Sequence, residues 1–149
     1  MVIHRDRADV WALLIDLDSQ RALLPNDARI DVLTDRTGEV GSRWNTVRGR
    51  GTRAVVVLNE IVELAPLRLL VVKGTWPKAT STVRTSTEPR GDGTLVSVRG
   101  DVEWRPGPGT LVDRISAAMT ASLMSQRALE TFKANAERHY ASAGRKSPR

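Results

Sequence analysis

The stretch TLVSVRGDVEW (94–104) shows the alternation that decides the class of fold. Apolar side chains take positions on one side of an extended chain: Val96, Val98, Val102 and Trp104. Polar side chains take the other side: Ser97, Arg99, Asp101 and Glu103. This pattern predicts a strand with one buried face. After RPGPG (105–109), residues 110–141 contain no Gly or Pro, and their apolar residues recur at three- and four-residue steps, which predicts a long helix with one buried stripe.

The segments before this strand predict a run of further strands and a helical N-terminus. Segments rich in β-branched residues and separated by turn residues are predicted strands: 28–35, 42–49, 52–64, 67–76 and 79–88. ADVWALLIDLD (8–18) carries an apolar stripe at helical spacing, so two small helices are expected before the first of these strands. A strand meander with one buried face needs a cover, and only the helix predicted over 110–141 is long enough.

Length and composition predict one domain. The chain has 149 residues, of which 40% are hydrophobic and 27% charged. We expect a single domain over 1–143 and a flexible basic tail over 144–149. No apolar run approaches the roughly 20 residues of a membrane span, and the N-terminus lacks a signal-peptide core. With no cysteine in the chain, a cytoplasmic location is predicted.

The net charge of +6 raises the question of nucleic-acid binding. Half of it comes from the tail, through Arg145, Lys146 and Arg149. A second basic cluster surrounds a glycine-marked turn: Arg43, Arg48, Arg50 and Arg53. Because the chain has one Phe and one Tyr, it is poorly supplied for stacking on bases. Solvated charge is therefore the preferred interpretation, and a nucleic-acid partner is not expected.

Several sequence blocks resemble a known superfamily. They are ADVWALLIDLD with the following LLP, GEVGSRW (38–44), NEIVELAPLRLL (59–70), GDGTLVSV (91–98) and LETFKANAE (129–137). The chain resembles the START/Bet v 1-like superfamily, particularly SRPBCC proteins of the polyketide cyclase/dehydrase-like kind. The resemblance implies an α+β helix-grip fold: a curved antiparallel sheet of about six to seven strands wrapped around a long C-terminal helix, with two short N-terminal helices.

In that superfamily a full strand precedes the first helix, whereas here only residues 2–4 remain for it. Either the start is assigned too late or the edge of the sheet is abbreviated. The first strand of the fold lies beside the last, so part of 94–104 would lack a pairing partner. An open edge invites association, which would permit a homodimer.

The implied fold places a mostly apolar cavity between the sheet, the long helix and the first helix. Candidate ligand-binding residues come from each of these elements: Trp11, Leu14, Trp44, Asn59, Trp76, Trp104, Met119, Ser122, Leu123 and Gln126. Ser122 and Gln126 are one helical turn apart and interrupt the apolar stripe, although both could instead face solvent. Asn59, Glu60 and Lys73 lie in otherwise apolar strands, and one that faced inward would indicate a site.

Motifs for catalysis or metal binding are mostly missing. His4 and His139 lie near opposite ends of the chain, and without cysteine a zinc cluster is not expected. Asp16 and Asp18 are better interpreted as helix-end and N-cap residues than as paired catalytic carboxylates. GRG (49–51) and GDG (91–93) are hairpin turns without the lysine and helix of a phosphate loop. No cofactor or metal is predicted, and the sequence assigns no catalytic residues for the case that the protein is an enzyme.

Three functions remain open. The first is a carrier or sensor that holds a small hydrophobic or aromatic molecule, such as a lipid, isoprenoid or polyketide. The second is a cyclase, aromatase or dehydratase that uses the same pocket, with confinement providing much of the acceleration. The third is a START-like module that contacts RNA, the ribosome or another macromolecule.

Overall fold

The computed structural model describes residues 1–22, 24, 26–105, 130–134, 136 and 137. A 3-10 turn at Gly51–Arg53 separates the third and fourth strands. The described helices and strands are β1 (Val2–Ile3), α1 (Arg7–Ile15), α2 (Leu17–Arg21), β2 (Ala28–Val32), β3 (Arg43–Arg48), β4 (Val55–Ala65), β5 (Leu69–Trp76), β6 (Ala79–Arg90) and β7 (Gly93–Trp104).

These strands form one antiparallel sheet in the order β1-β7-β6-β5-β4-β3-β2. Strands β2 to β7 pair with their sequence neighbours, as the predicted meander requires, and β1 returns to lie beside β7. The predicted fold class is therefore confirmed as far as the antiparallel sheet and the two short helices are concerned. The register of β4 on β5 shifts between Ile61 and Glu63, and such a bulge bends a strand locally.

The short strand β1 is joined to β7 by more than its two paired residues. The Met1 ammonium donates to the carbonyl of Val96 at 2.8 Å, and the Val96 amide donates to the carbonyl of Met1 at 2.8 Å. The hydroxyl of Thr94, which is fully buried, donates to the carbonyl of Arg5 at 2.8 Å. These bonds satisfy backbone groups at the sheet edge and fix the start of α1.

Asp16 separates the two helices and begins the second. Its carboxylate accepts hydrogen bonds from the Ser19 amide at 2.9 Å and from the Ser19 hydroxyl at 2.6 Å. The sequence predicts that Asp16 and Asp18 are helix-end and N-cap residues; Asp16 occupies both positions, as the C-cap of α1 and the N-cap of α2, and Asp18 occupies neither. Asp18 lies in the first turn of α2 and pairs with Arg21 at 2.9 Å on the surface.

Two apolar clusters cover the concave face of the sheet. One joins α1 and α2 to β2–β5 through its buried members: Trp11, Leu17, Ile30, Trp44, Ile61 and Leu70. The other joins β1, α1 and β7 to the C-terminal segment: Ile3, Val10, Val96, Phe132 and Ala136. The opening helices therefore pack on the sheet rather than project from it.

The helix predicted over 110–141 lies largely outside the described residues. Residues 130–134, 136 and 137 are helical, and Phe132 packs in the cluster that contains Val96, with Val98 against it. The part of the predicted buried stripe that precedes residue 130 lies outside the described residues.

The prediction that Val102 is buried with Val96 is wrong. The Val102 side chain is 38% exposed, whereas Val96 is 1% exposed. Among the described residues, the cluster that covers this face of β7 reaches no further along the strand than Val98. Val102 therefore lies beyond the apolar layer.

Candidate functional site

A cavity of about 360 Å³ lies between the opening helices, the concave face of the sheet and Phe132. Its volume falls at the lower end of the range typical of small-molecule sites, about 300–1,000 Å³. Most of its wall is apolar: Leu14, Leu24, Ile30, Trp44, Leu70, Val72, Val83, Val98 and Phe132. Such a wall favours an apolar ligand, because burying apolar surface is the main driving force for binding.

Alternation along the strands explains how the wall forms. Side chains two residues apart point to the same face, so Leu70 and Val72 enter the cavity together, and so do Val83 and Thr85. Gly74 continues the first of these series and contributes backbone only. Leu14 reaches the cavity from the last turn of α1, and Leu24 follows α2.

Five polar side chains, all neutral amides or hydroxyls, interrupt the apolar wall: Gln20, Thr46, Asn59, Ser81 and Thr85. Asn59 and Ser81 share one transverse row of the sheet, because Asn59 pairs with Gly74 and Gly74 pairs with Ser81. Two polar side chains thus flank a glycine on the cavity wall. Gln20 donates its amide to the carbonyl of Leu14 at 2.7 Å, which satisfies one carbonyl at the end of α1.

Asn59 is the most constrained of these polar groups. Its Nδ2 lies within hydrogen-bonding distance of the Thr46 hydroxyl oxygen (3.0 Å), the Val57 carbonyl (3.0 Å) and the Trp44 carbonyl (3.4 Å). These partners belong to β3 and β4, so the amide side chain ties the two strands together on the cavity side.

Of the predicted ligand-binding residues, Leu14, Trp44 and Asn59 line this cavity. Trp11 is 6% exposed and packs in the core cluster beside the cavity, but it is not among the described lining residues. Trp76 and Trp104 are likewise not among them. Their rings pack edge to face against each other, with centroids 6.4 Å apart.

The remaining predicted ligand-binding residues lie outside the described part of the chain: Met119, Ser122, Leu123 and Gln126.

The other charged and polar candidates lie away from the cavity. Glu60 pairs with Arg43 at 3.1 Å on the outer face, and Lys73 is exposed. Arg48 lies 3.9 Å from Asp27. Two arginines of the predicted basic cluster therefore have carboxylate neighbours.

Of the two histidines, His4 belongs to the described part of the chain, where it lies on the surface. Its Nδ1 lies 3.3 Å from Asp92 Oδ1, and both side chains are largely exposed. His139 lies outside the described residues. Across the described part of the chain, no group of three or more His, Asp or Glu residues is arranged to hold a metal ion. No described helix is long and apolar enough to cross a membrane.

Sequence reasoning missed Gln20, Thr46, Ser81 and Thr85 as cavity residues. In ATSTVRTSTE (79–88), hydroxyl side chains fill both faces of the strand, so alternation alone does not show which hydroxyls face inward. One usable signal was the isolated glycine in VVKGTW (71–76), because glycine inside a strand often marks a close approach.

Solved structures with similar folds cover nearly the whole chain. The protein CV1439 from Chromobacterium violaceum is 15% identical, with a TM-score of 0.68 over 92% of this chain and 93% of that one. TTHA0849 from Thermus thermophilus is 16% identical, with a TM-score of 0.68 over 93% and 94% of the two chains. Ara h 8.0201 is 14% identical, with a TM-score of 0.66 over 91% and 93%. At these identities the likeness concerns the fold.

Among curated proteins, none matches the sequence significantly. The family described as polyketide cyclase / dehydrase and lipid transport matches residues 1–137, nearly the full length of the chain. This match, together with the fold and its cavity, confirms the resemblance noted from the sequence blocks. The chain belongs to the polyketide cyclase / dehydrase and lipid transport family, within the SRPBCC superfamily of Bet v 1-like fold.

Proposed function

We propose that the protein binds a small, mostly apolar molecule in the cavity beneath α1 and α2, and that it acts as a carrier or sensor. The observation that carries this proposal is the cavity itself: about 360 Å³, walled by aliphatic and aromatic side chains, with a few polar groups on the sheet. Apolar walls provide affinity and a few placed polar groups provide orientation, which is the usual composition of a small-molecule site.

The chemistry of the polar groups favours holding a ligand over converting it. The side chains of Thr46, Asn59 and Ser81 are neutral, and amides and hydroxyls hydrogen-bond a ligand without exchanging protons readily near neutral pH. General acid–base catalysis instead uses a group whose pKa lies near the working pH. The five polar groups described on the cavity suit recognition of a neutral polar end.

An enzyme of the cyclase or dehydrase type is the second candidate, because the matching family includes such enzymes in its description. In that case the cavity would fold a reactive chain, and confinement would lower the entropic part of the barrier. The same cavity serves both candidates, so occupancy must be tested before turnover.

Occupancy is tested by filling the cavity and measuring the affinity for a neutral fluorescent probe, N-phenyl-1-naphthylamine. Val98→Trp adds an indole at a lining position and should weaken probe binding about tenfold or more, because the added ring occupies ligand space. Val102→Trp is the matched control, since Val102 lies on the same strand and face but is 38% exposed and beyond the described lining. Equal affinities of the two folded variants would contradict the proposed site.

Carrier and enzyme are distinguished by what happens to the bound molecule. Native mass spectrometry of the purified protein, followed by solvent extraction, identifies any retained ligand. Recovery of the same molecule after prolonged incubation with the protein supports a carrier or sensor. Its conversion into a product of different mass or ring structure supports the enzyme.

A further inference from the structure

The orientation of the Asn59 side chain is determined by its neighbours. Two of the three acceptors around Nδ2 are the backbone carbonyls of Trp44 and Val57, at 3.4 Å and 3.0 Å. A carbonyl can only accept a hydrogen bond, so the nitrogen of the amide must face this side. The oxygen Oδ1 then points away from β3, and it accepts no hydrogen bond from the described residues.

Gly74 shows where this oxygen points. A Cβ atom placed on Gly74 would lie 3.5 Å from Asn59 Oδ1 and 2.7 Å from Ser81 Oγ. Both oxygens therefore border the space above the glycine, and all three residues line the cavity. No hydrogen bond joins the Ser81 hydroxyl to another described side chain, and a serine hydroxyl can either donate or accept.

The amide hydrogens of Asn59 face protein acceptors, which leaves its acceptor oxygen for a ligand. A ligand carbonyl or ether oxygen placed against Oδ1 would bring two acceptors together without a hydrogen between them. A ligand hydroxyl or N–H would complete the bond, and a ligand hydroxyl could also accept from Ser81. Sites built around such a polar group discriminate strongly against ligands that lack the matching hydrogen.

We propose that Asn59 and Ser81 select ligands whose polar end is a hydrogen-bond donor, above all a hydroxyl or phenol attached to an apolar body. Asn59 Oδ1 accepts a hydrogen bond from the ligand hydroxyl or N–H, and the Ser81 hydroxyl donates one to the oxygen of a ligand hydroxyl. This selectivity rests on the proposed function of the cavity and specifies the chemical class of its ligand.

The test compares three naphthalenes that share one apolar body. 2-Naphthol carries a donor, 2-naphthaldehyde carries only an acceptor, and naphthalene carries neither. Calorimetry with the full chain should show 2-naphthol binding about tenfold tighter than 2-naphthaldehyde, the effect of one buried hydrogen bond made or lost. Equal affinities would overturn the donor selectivity while leaving the cavity function in place. If none of the three bound, the proposed function would fail as well.

Two variants locate the selectivity. Asn59→Leu should reduce the preference for 2-naphthol over 2-naphthaldehyde to about one, because Oδ1 is lost. Asn45→Leu is its control. Asn45 lies on β3 between Trp44 and Thr46, which face the cavity, so its own side chain points to the opposite face of the sheet. The Asn45→Leu variant should therefore keep the full preference for 2-naphthol. A preference that survived in Asn59→Leu would overturn the assignment.

Ser81→Ala provides an independent readout, because it removes one oxygen without altering the contacts of Asn59 to β3. It should weaken 2-naphthol binding severalfold and leave naphthalene binding unchanged. Ser86→Ala, on the opposite face of β6, should change neither affinity. Unchanged 2-naphthol affinity in Ser81→Ala would contradict the part assigned to this hydroxyl.

Discussion

Gly93 lies so close to Ile3 that a Cβ atom on the glycine would clash with the carbonyl oxygen of Ile3. The nearest atoms belong to backbone, including the Cα of His4 at 3.2 Å, so no side-chain rotation can relieve the contact. The beginning of β7 and the end of β1 are thus packed at a distance that only glycine permits.

Gly93→Ala should therefore destabilise the protein by about 2–3 kcal/mol, because β1 must move away from β7 to admit the methyl group. Urea denaturation followed by circular dichroism measures the change. Gly100→Ala on the same strand is the control, since its Cβ would meet only the Val83 side chain at 3.9 Å, an ordinary contact. Similar free energies of unfolding for the two variants would contradict the close packing of β1.

Gly74→Ala should weaken binding of 2-naphthol severalfold with little change in stability. The added Cβ would lie 2.7 Å from Ser81 Oγ and 3.2 Å from Val57 Cγ1, so the serine side chain must rotate and the polar end of the cavity must narrow. Replacing glycine by alanine in a strand gains about 0.5–1 kcal/mol of backbone entropy, which offsets part of the crowding. Calorimetric titration and thermal melting measure the two effects. If Gly74→Ala bound 2-naphthol as tightly as the wild type, the space above Gly74 would not be part of the ligand site.

Asp16→Ala should lower the free energy of unfolding by about 1 kcal/mol, the usual effect of removing an N-cap side chain. The carboxylate holds both the amide and the hydroxyl of Ser19 at the start of α2. Asp18→Ala removes a carboxylate of the same helix whose partner, Arg21, is half exposed, and an exposed ion pair of this kind is worth less than about 0.5 kcal/mol. Chemical denaturation of both variants checks the difference. Equal losses would mean that capping does not stabilise α2.

Phe132→Ala should destabilise the protein by about 3–4 kcal/mol, as large-to-small substitutions of buried aromatic residues usually do. Phe132 is 6% exposed and packs in the cluster of Ile3, Val10 and Val96. Thr131→Ala, at the exposed neighbouring position, should change stability little. A loss below about 1 kcal/mol in Phe132→Ala would show that the C-terminal segment contributes little to the core.

Much of the fold could be predicted from local pattern. The alternation of Val96 and Val98 with polar neighbours identified β7 and its buried face, and both residues pack in or against the cluster that contains Phe132. The interpretation of Asp16 and Asp18 as helix-end and N-cap residues placed the junction of the two helices, and Asp16 caps α2; a cap is predictable because it acts on the next few residues alone. The prediction failed at Val102, since alternation records which side a residue faces but not how far the covering layer extends.

The cavity was only partly predictable. Leu14, Trp44 and Asn59 were expected there and line it, whereas the expected Trp76 and Trp104 pack against each other instead. Large aromatic residues are conspicuous in a sequence, but their size does not reveal which end of a strand faces the site.

The sequence by itself determined the antiparallel meander, the helical start and the apolar character of the concave face, because each follows from periodicity within a few neighbouring residues. Only the tertiary structure decided that Asn59, Gly74 and Ser81 form one transverse row on three adjacent strands. That row depends on the register of the strands. The register is set by hydrogen bonds between segments distant in the sequence and by the bulge in β4. The orientation of the Asn59 amide likewise depends on the tertiary structure. One of the carbonyls that hold its nitrogen, that of Trp44, belongs to another strand, brought within reach only when the sheet has formed.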